Sequence, residues 1–470
     1  MKMFICGEWV SRDEVIEVRN PFDGSVVDTV PVATEDDVAA CIESAAKGAA
    51  IMRKMPARER YEILHRASNI MAERQEDLGR TISLEEGKVL GEGIFEASRA
   101  LETMILSAEE AKRIRGDVLP LDAAPGGEGK LGFTLRVPCG VVAAITPFNF
   151  PLNLVCHKVG PGLAAGNSVI VKPASDTPLS AIKMVEILLE AGIPPLAISC
   201  ITGSGGTVGN QLSADERIRK ISFTGSAEVG KIICQTAGLK KVTMELGSNS
   251  PLIVMPDADL EKVANATIAT GYGNAGQVCI SAQRVIALDS VYGDLLDVLQ
   301  PKVAAIQVGD QVADGTTMGP MIRQSDAERV HGWINEAVDQ GAQLLCGGEQ
   351  SGCVVSASLL ADVKPDMKIS RDEVFGPAVG VTRASSIDEA IALANDTRFG
   401  LSAGIFTQDI DAAIRFAKEV DSGNLQINWG PAWRADLMPY GGLKDSGLGK
   451  EGPSYAVQEM TEEKMVVIHS

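Results

Sequence analysis

Short apolar runs alternate with amphipathic stretches through the middle of the chain. Residues 140–146, 168–171, 198–201, 219–223 and 242–246 are each the length of a buried strand. Between them, 178–191, 207–212 and 227–237 space their apolar positions as helices do. Buried strands alternating with helices predict βαβ units and a parallel sheet, which binds nucleotides beyond the carboxyl ends of its strands. After Pro251 the pattern repeats, with strands predicted at 284–288, 343–346, 378–382, 404–407 and 425–428 and helices at 326–340, 387–395 and 410–420. Ahead of both runs, extended pieces flank the turn Asn20-Pro21-Phe22-Asp23-Gly24. Thr34-x-x-Asp37 opens a first helix with Val38, Cys41, Ile42 and Ala45 on one face, Pro56 opens a second, and 92–113 forms a third. The β-prone tail at 464–469 is suited to pairing with another chain's sheet edge.

The chain has 470 residues, enough for two or three domains with large cores and no need of disulfide or metal staples. Lys and Arg total 43 against 62 Asp and Glu, a net charge of −19 with no basic run, which disfavours nucleic acid. No apolar stretch is long enough to span a membrane, and the N-terminus meets an acid too early for a signal peptide. Cys6, Cys41, Cys139, Cys156, Cys200, Cys234, Cys279, Cys346 and Cys353 contain no CxxC pair, so they read mainly as buried thiols in a reducing cytoplasm. The histidines at 65, 157, 331 and 469 lack ligand spacing, so no metal is expected.

Five segments carry candidate chemistry. Gly273-Asn-Ala-Gly-Gln-Val-Cys279 sets a thiol after a glycine loop that follows a helical stretch; alone, the thiol reads as a nucleophile or as a buried hydrophobe. Thr243-Met-Glu245 places a carboxyl in an apolar strand, either as a base with a raised pKa or as a solvated strand end. In Thr146-Pro147-Phe-Asn149-Phe-Pro151, two prolines fix a loop around an amide that suits an oxyanion hole or a plain turn. Lys172-Pro-Ala-Ser175 ends a strand where a nucleotide ribose would lie. Phe223-Thr-Gly225-Ser226 opens a helix whose free N–H groups suit phosphate. None of them contains GxGxxG.

In order, these segments, with Glu245-Leu246-Gly247, Glu373-Val-Phe375-Gly-Pro377 and Pro439-Tyr-Gly-Gly-x-Lys-x-Ser-Gly447, resemble the aldehyde dehydrogenase superfamily from Asn20 to Gly452 or beyond. The resemblance implies an α/β fold of two open parallel-sheet domains, one Rossmann-like for the cofactor and one catalytic, with a small β oligomerisation arm. The expected division is 1–120 and 139–248 for the cofactor domain, 249–450 for the catalytic domain, and 121–138 and 451–470 for the arm. It implies Cys279 as nucleophile, Asn149 with the Cys279 N–H as oxyanion hole, and Glu245 as the base that hydrolyses a thioester. Thr146, Pro147, Lys172, Ser175, Gly225, Ser226, Leu246, Glu373 and Phe375 would hold NADP or NAD. Many NAD-preferring relatives carry Glu where this chain has Ser175, so acceptance of NADP is expected. Ser248 replaces a usual glycine, with only local adjustment expected.

A longer string, Ile145 to Lys158 with Arg434-Ala-Asp-x-Met-Pro-Tyr, resembles the branch of lactaldehyde, non-phosphorylating glyceraldehyde-3-phosphate, phosphonoacetaldehyde and sulfolactaldehyde dehydrogenases. That implies a short polar aldehyde, anionic if Arg99 and Arg434 offer guanidinium forks. His157, Asn153, Val278 and Ile280 would complete the substrate site, with His157 on a helix entering the pocket. Val278 stands where several anion users have a further arginine. Arg99 also reads as a solvated residue between Glu96 and Glu102, and His157 as a core histidine. A succinate-semialdehyde-type dehydrogenase is an alternative. A CoA-acylating dehydrogenase would not need Glu245, and a cysteine-dependent esterase would need a histidine base and no nucleotide. A cytoplasmic homodimer or homotetramer is expected.

Overall fold

The computed structural model describes residues 1–469. Two sheets dominate it. The first has eight strands, in the order Glu8–Val10, Met3–Ile5, Ile198–Cys200, Ser168–Lys172, Val141–Ile145, Ile218–Thr224, Lys241–Glu245 and Gly447–Leu448. The five inner strands from Ile198–Cys200 to Lys241–Glu245 run parallel, and the flanking pairs are antiparallel. Strand order reverses direction at Val141–Ile145, the switch point where open α/β sheets leave a crevice. Thr146, Lys172, Gly225 and Leu246 all sit at the strand ends around it.

The second sheet has seven strands, Gln343–Cys346, Ser358–Ala361, Ala378–Ala384, Ala282–Leu288, Ser250–Val254, Ser402–Phe406 and Asn424–Ile427, all parallel save the first pair. Ser250–Val254 went unpredicted because Pro251 argues against a central strand. Its register shifts between Ser250 and Pro251, and that irregularity accommodates the missing N–H. Helices Gln75–Glu86 and Asp289–Ala304 were also unpredicted. The 207–212 helix is instead a wide turn, Gly205–Gly209, followed by a short helix, Asn210–Ala214.

Local chemistry explains several element ends. Thr34 and Asp37 close a reciprocal capping box at the first helix, Asp37 N donating to Thr34 Oγ1 at 3.2 Å and Thr34 N to Asp37 Oδ2 at 2.9 Å. The hairpin Met3–Ile5/Glu8–Val10 turns through Cys6 and Gly7, both at positive φ (56° and 82°). That turn leaves Cys6 exposed, contrary to the expectation of buried thiols. Cys41, Cys156 and Cys200 alone are fully buried.

A three-stranded antiparallel arm joins Thr461–His469, Lys130–Pro138 and Val118–Leu119. The tail pairs with its own chain over nine residues, from Thr461↔Pro138 to His469↔Lys130, and among the described residues no strand pairs with its other edge. Of the residues expected in the arm, 451–459 lie elsewhere. Gly447–Leu448 joins the first sheet, and helix Pro453–Glu459 packs on helices Asn153–Ala164 and Leu90–Ala111. Among the described residues, no helix is long and apolar enough to cross a membrane.

Candidate active site

Cys279 sits where two cavities meet. One, of about 220 Å³, is lined by Arg99, Asn153, Glu245, Val278, Ile280 and Arg434 among others. The other, of about 700 Å³, follows the carboxyl ends of the first sheet, and every residue predicted to hold a cofactor lines it. Leu154, Thr224, Leu246 and Cys279 line both. Of the predicted catalytic residues, Glu245 faces the smaller space and Asn149 the larger.

The nucleophile loop is held in an unfavourable shape. After helix Leu260–Gly271 the chain turns through Asn274 and Ala275, both at φ 51°, a region that costs non-glycine residues about 1–3 kcal/mol each. Buried carboxyls maintain it. Glu86 accepts from Asn274 Nδ2 at 2.9 Å and Glu92 from its backbone N–H at 3.2 Å. The oxyanion loop is tied to the same cluster, since Asn149 O accepts from Lys88 Nζ at 2.8 Å and from Asn274 Nδ2 at 3.3 Å. Lys88 in turn pairs with Glu96 at 2.7 Å, and Glu96 caps the next helix by accepting the Leu152 and Asn153 N–H groups. Glu86, Lys88, Glu92 and Glu96 were not singled out from the sequence. Apart from the Lys88–Glu96 pair, their partners lie 56 to 188 residues away.

Asn149 Nδ2 donates one hydrogen to Gln277 O at 2.7 Å and keeps the other. The Cys279 backbone N–H has no partner among the described residues. Asn149 and Cys279 both line the larger cavity, so each brings an unspent N–H donor of the kind an oxyanion requires. Burial pushes the Cys279 thiol up to about 12, against the pull of a 3.1 Å hydrogen bond with the Tyr440 hydroxyl. Burial, and then the charge of Glu451, hold the Glu245 carboxyl well above its ordinary value. Both Glu245 oxygens are buried without a hydrogen-bond partner among the described residues. Once ionised, a carboxylate whose pKa is raised is a stronger base than an ordinary glutamate, as suits a general base acting on water.

Behind the smaller cavity runs a charged chain. Glu451 would be raised by burial, but Lys158 at 2.5 Å and Arg434 at 3.1 Å bring it down. Arg434 Nη2 lies 3.0 Å from His157 Nδ1, and arginine can only donate, so Nδ1 accepts and Nε2 carries the proton. Nε2–H then donates to Asp436 Oδ1 at 2.9 Å. Burial, with Arg434 second, lowers His157 to about 4. His157 therefore does not line the cavity as predicted. Both its nitrogens are spent inside the protein, and it is completely buried. Arg99 pairs with Asp436, not with Glu96 or Glu102. Asn153 accepts from Thr103 at 3.0 Å and donates to Asp436 at 3.3 Å. Lys158, Asp436, Tyr440 and Glu451 stand within or beside motifs visible in the sequence, yet their pairings appear only in three dimensions.

The larger cleft fits a dinucleotide. Ser226 caps helix Ala227–Ala237 by accepting from Val229 N at 3.3 Å, leaving the N–H groups of that end for an anion. Thr146 Oγ1 is buried with no partner, and the Lys172 ammonium, brought down to about 8 by burial, makes no hydrogen bond among the described residues. Ser175 donates to Gly203 O at 3.1 Å, so no carboxylate stands at that position to repel a phosphate. Burial raises Glu373 to about 7, and it accepts from Ser248 N at 2.8 Å. A side chain at Gly247 would collide with the Glu373 carboxyl, which explains the glycine. Ser248 is accommodated locally through a 2.9 Å contact between its hydroxyl and that of Ser250. Phe375, at φ 45°, packs edge-on against Phe148 at 5.8 Å.

Comparison with known proteins identifies the family. The aldehyde dehydrogenase family model matches residues 9–466. A 3-sulfolactaldehyde dehydrogenase of Priestia aryabhattai is 45% identical over 467 residues, 99% of this chain and 98% of that protein. A lactaldehyde dehydrogenase of Methanococcus vannielii is 37% identical over the whole length of both. The structure of NADP-dependent glyceraldehyde-3-phosphate dehydrogenase from Bacillus halodurans, complexed with NADP, superposes with a TM-score of 0.97 at 35% identity, covering 100% of this chain and 99% of that one.

Proposed function

Since this chain belongs to the aldehyde dehydrogenase family and is an NAD(P)-dependent oxidoreductase acting on aldehydes, we propose that Cys279, Asn149 and Glu245 carry the reaction and that its substrate is a short polar aldehyde with an anionic group. Cys279 attacks the carbonyl carbon from the junction of the two cavities. The second Nδ2 hydrogen of Asn149 and the Cys279 N–H receive the oxyanion, with no reorganisation because Gln277 and Lys88 already fix Asn149. NADP or NAD, bound in the larger cleft, would supply the two-electron acceptor. Once the aldehyde carbon is oxidised, a thioester remains on Cys279, and Glu245 deprotonates the water that hydrolyses it. That last role is what a CoA-acylating enzyme would lack.

The cofactor contacts are proposed residue by residue. Lys172 and Ser175 face the adenosine ribose, Gly225 and Ser226 the diphosphate, and Glu373 the second ribose. Thr146, Pro147, Leu246 and Phe375 line the nicotinamide end. The open edge of the tail strand, with exposed Leu131, Leu135 and Val467 on the arm, supports a homodimer or homotetramer.

One observation carries the anionic reading: Arg434 Nε is buried in the smaller cavity's wall with no hydrogen-bond partner among the described residues. Arg99 Nη1, in the same wall, is likewise unpaired among the described residues. The acids of that wall are muted. Glu96 is paired with Lys88, Glu451 with Lys158 and Arg434, while burial raises Glu92 and Glu245. Sulfolactaldehyde and glyceraldehyde-3-phosphate offer the matching anion, and lactaldehyde does not. With NADP, kcat/KM for the two charged aldehydes should exceed that for lactaldehyde about tenfold, the worth of one charge-assisted hydrogen bond. Equal values, or a preference for lactaldehyde, would overturn the anionic reading.

A further inference from the structure

Tyr440 is buried, and its hydroxyl makes a single hydrogen bond among the described residues, to Cys279 Sγ at 3.1 Å. The ring cannot swing away. The Arg434 guanidinium lies over its face, 4.0 Å from the centroid, and Ile280 and Leu401 pack around it. Its backbone is pinned at both ends to Glu451, Tyr440 N donating to Glu451 O at 3.2 Å and Glu451 N to Tyr440 O at 2.7 Å. Glu451 in turn grips Arg434. The phenol is thus aimed at the sulfur by the same residues that hold the charged wall.

The bond has one sensible direction during reaction. No lysine or arginine nitrogen makes a hydrogen bond to Cys279 among the described residues, so a buried thiolate there would depend on another donor. A thiolate only accepts, which makes the phenol O–H the donor. We propose that Tyr440 is a further catalytic residue: its hydroxyl donates to the Cys279 sulfur, favouring thiolate over thiol and fixing it at the mouth of both cavities. This rests on Cys279 being the nucleophile. The thiol releases its proton to water in the cavity, and the phenol keeps its own, since burial holds the Tyr440 hydroxyl far above its ordinary range. The sulfur lone pair then forms the C–S bond, the carbonyl π pair moves to oxygen, and the sulfur's charge, with its claim on Tyr440, is lost. Donation also blunts the nucleophile, but by only about 0.4–0.5 log units per pKa unit against a tenfold gain in thiolate fraction. The net effect is acceleration.

The test is the pH dependence of Cys279 alkylation by iodoacetamide in the full-length protein, followed by mass spectrometry of the Cys279 peptide. Tyr440→Phe keeps the ring, its packing and the stacking of Arg434. It should move the profile up by about one pH unit and lower kcat/KM at neutral pH about threefold, with recovery at high pH. Replacing Tyr440 by 3-fluorotyrosine, a more acidic phenol, should move the profile down, and this second variant decides the matter should the first fold poorly. Profiles that coincide with the unaltered protein would overturn the proposal, because a packing role moves neither. Cys279→Ser separates the premise. If it turned over aldehyde normally, Cys279 would not be the nucleophile, while the alkylation profiles would still report on Tyr440.

Discussion

Arg99 grips Asp436 with two nitrogens, Nη2 to Oδ1 at 2.7 Å and Nε to Oδ2 at 3.2 Å. The fork that was expected to hold an anionic substrate is therefore partly neutralised from behind, and only Nη1 is left for the cavity. Its side chain is 22% exposed, which keeps the residue within reach of a ligand.

Arg99→Ala follows from this pairing. It removes a cation and leaves Asp436, held well below its ordinary pKa, as a freed negative charge beside the cavity. Both changes disfavour an anion. kcat/KM for glyceraldehyde-3-phosphate or sulfolactaldehyde should fall more than about tenfold, while lactaldehyde loses less than about threefold. Equal losses on charged and neutral aldehydes would remove Arg99 from substrate binding.

Ser175→Glu tests the cofactor end. A carboxylate beside Lys172 would occupy the free ammonium and repel a 2′-phosphate across the same cleft. kcat/KM for NADP should fall about tenfold or more, and that for NAD should hold or rise. Parallel kinetics with both cofactors give the ratio directly.

The two α/β halves were legible because buried parallel strands read as apolar runs. Helices Ala227–Ala237 and Ile387–Asn395 and strand Gln343–Cys346 lie where the pattern predicts them. Ser250–Val254 was hidden by Pro251, whose missing N–H a register shift absorbs. In the site, Cys279, Glu245 and Asn149 show as motifs because each sits in a short, constrained stretch. The setting that tunes them does not, since Lys158 and Glu451 are 293 residues apart and Arg99 and Asp436 are 337 apart. His157 illustrates the difference. Its helix was anticipated, but only the fold shows both ring nitrogens already engaged by Arg434 and Asp436.

Buried acids give the stability a pH signature. Burial raises Glu86 to about 8, and its Oε2 has no hydrogen-bond partner among the described residues. A carboxyl raised in the folded state contributes stability that is full below the unfolded pKa and is lost as pH rises through the folded one. Between about pH 4.5 and 8, Glu86 should therefore lower stability as pH rises. Glu86→Gln keeps the acceptor for Asn274 and removes the titration. Thermal unfolding should show Tm nearly unchanged at pH 5 and raised by about 2 °C at pH 8.5. An equal change at both values would mean that Glu86 does not titrate in this range.

The division of labour between Cys279 and Glu245 is tested most directly by trapping the acyl enzyme. Glu245→Gln preserves the buried shape but cannot deprotonate water, so hydrolysis should slow by about 10²–10⁴ while the first turnover proceeds. Mixing this variant with aldehyde and NADP, quenching in acid and measuring the mass of the Cys279 peptide should reveal one acyl group per chain on Cys279, with a matching burst of NADPH. An unmodified Cys279 peptide alongside that burst, or an acyl group on any other residue, would contradict the account.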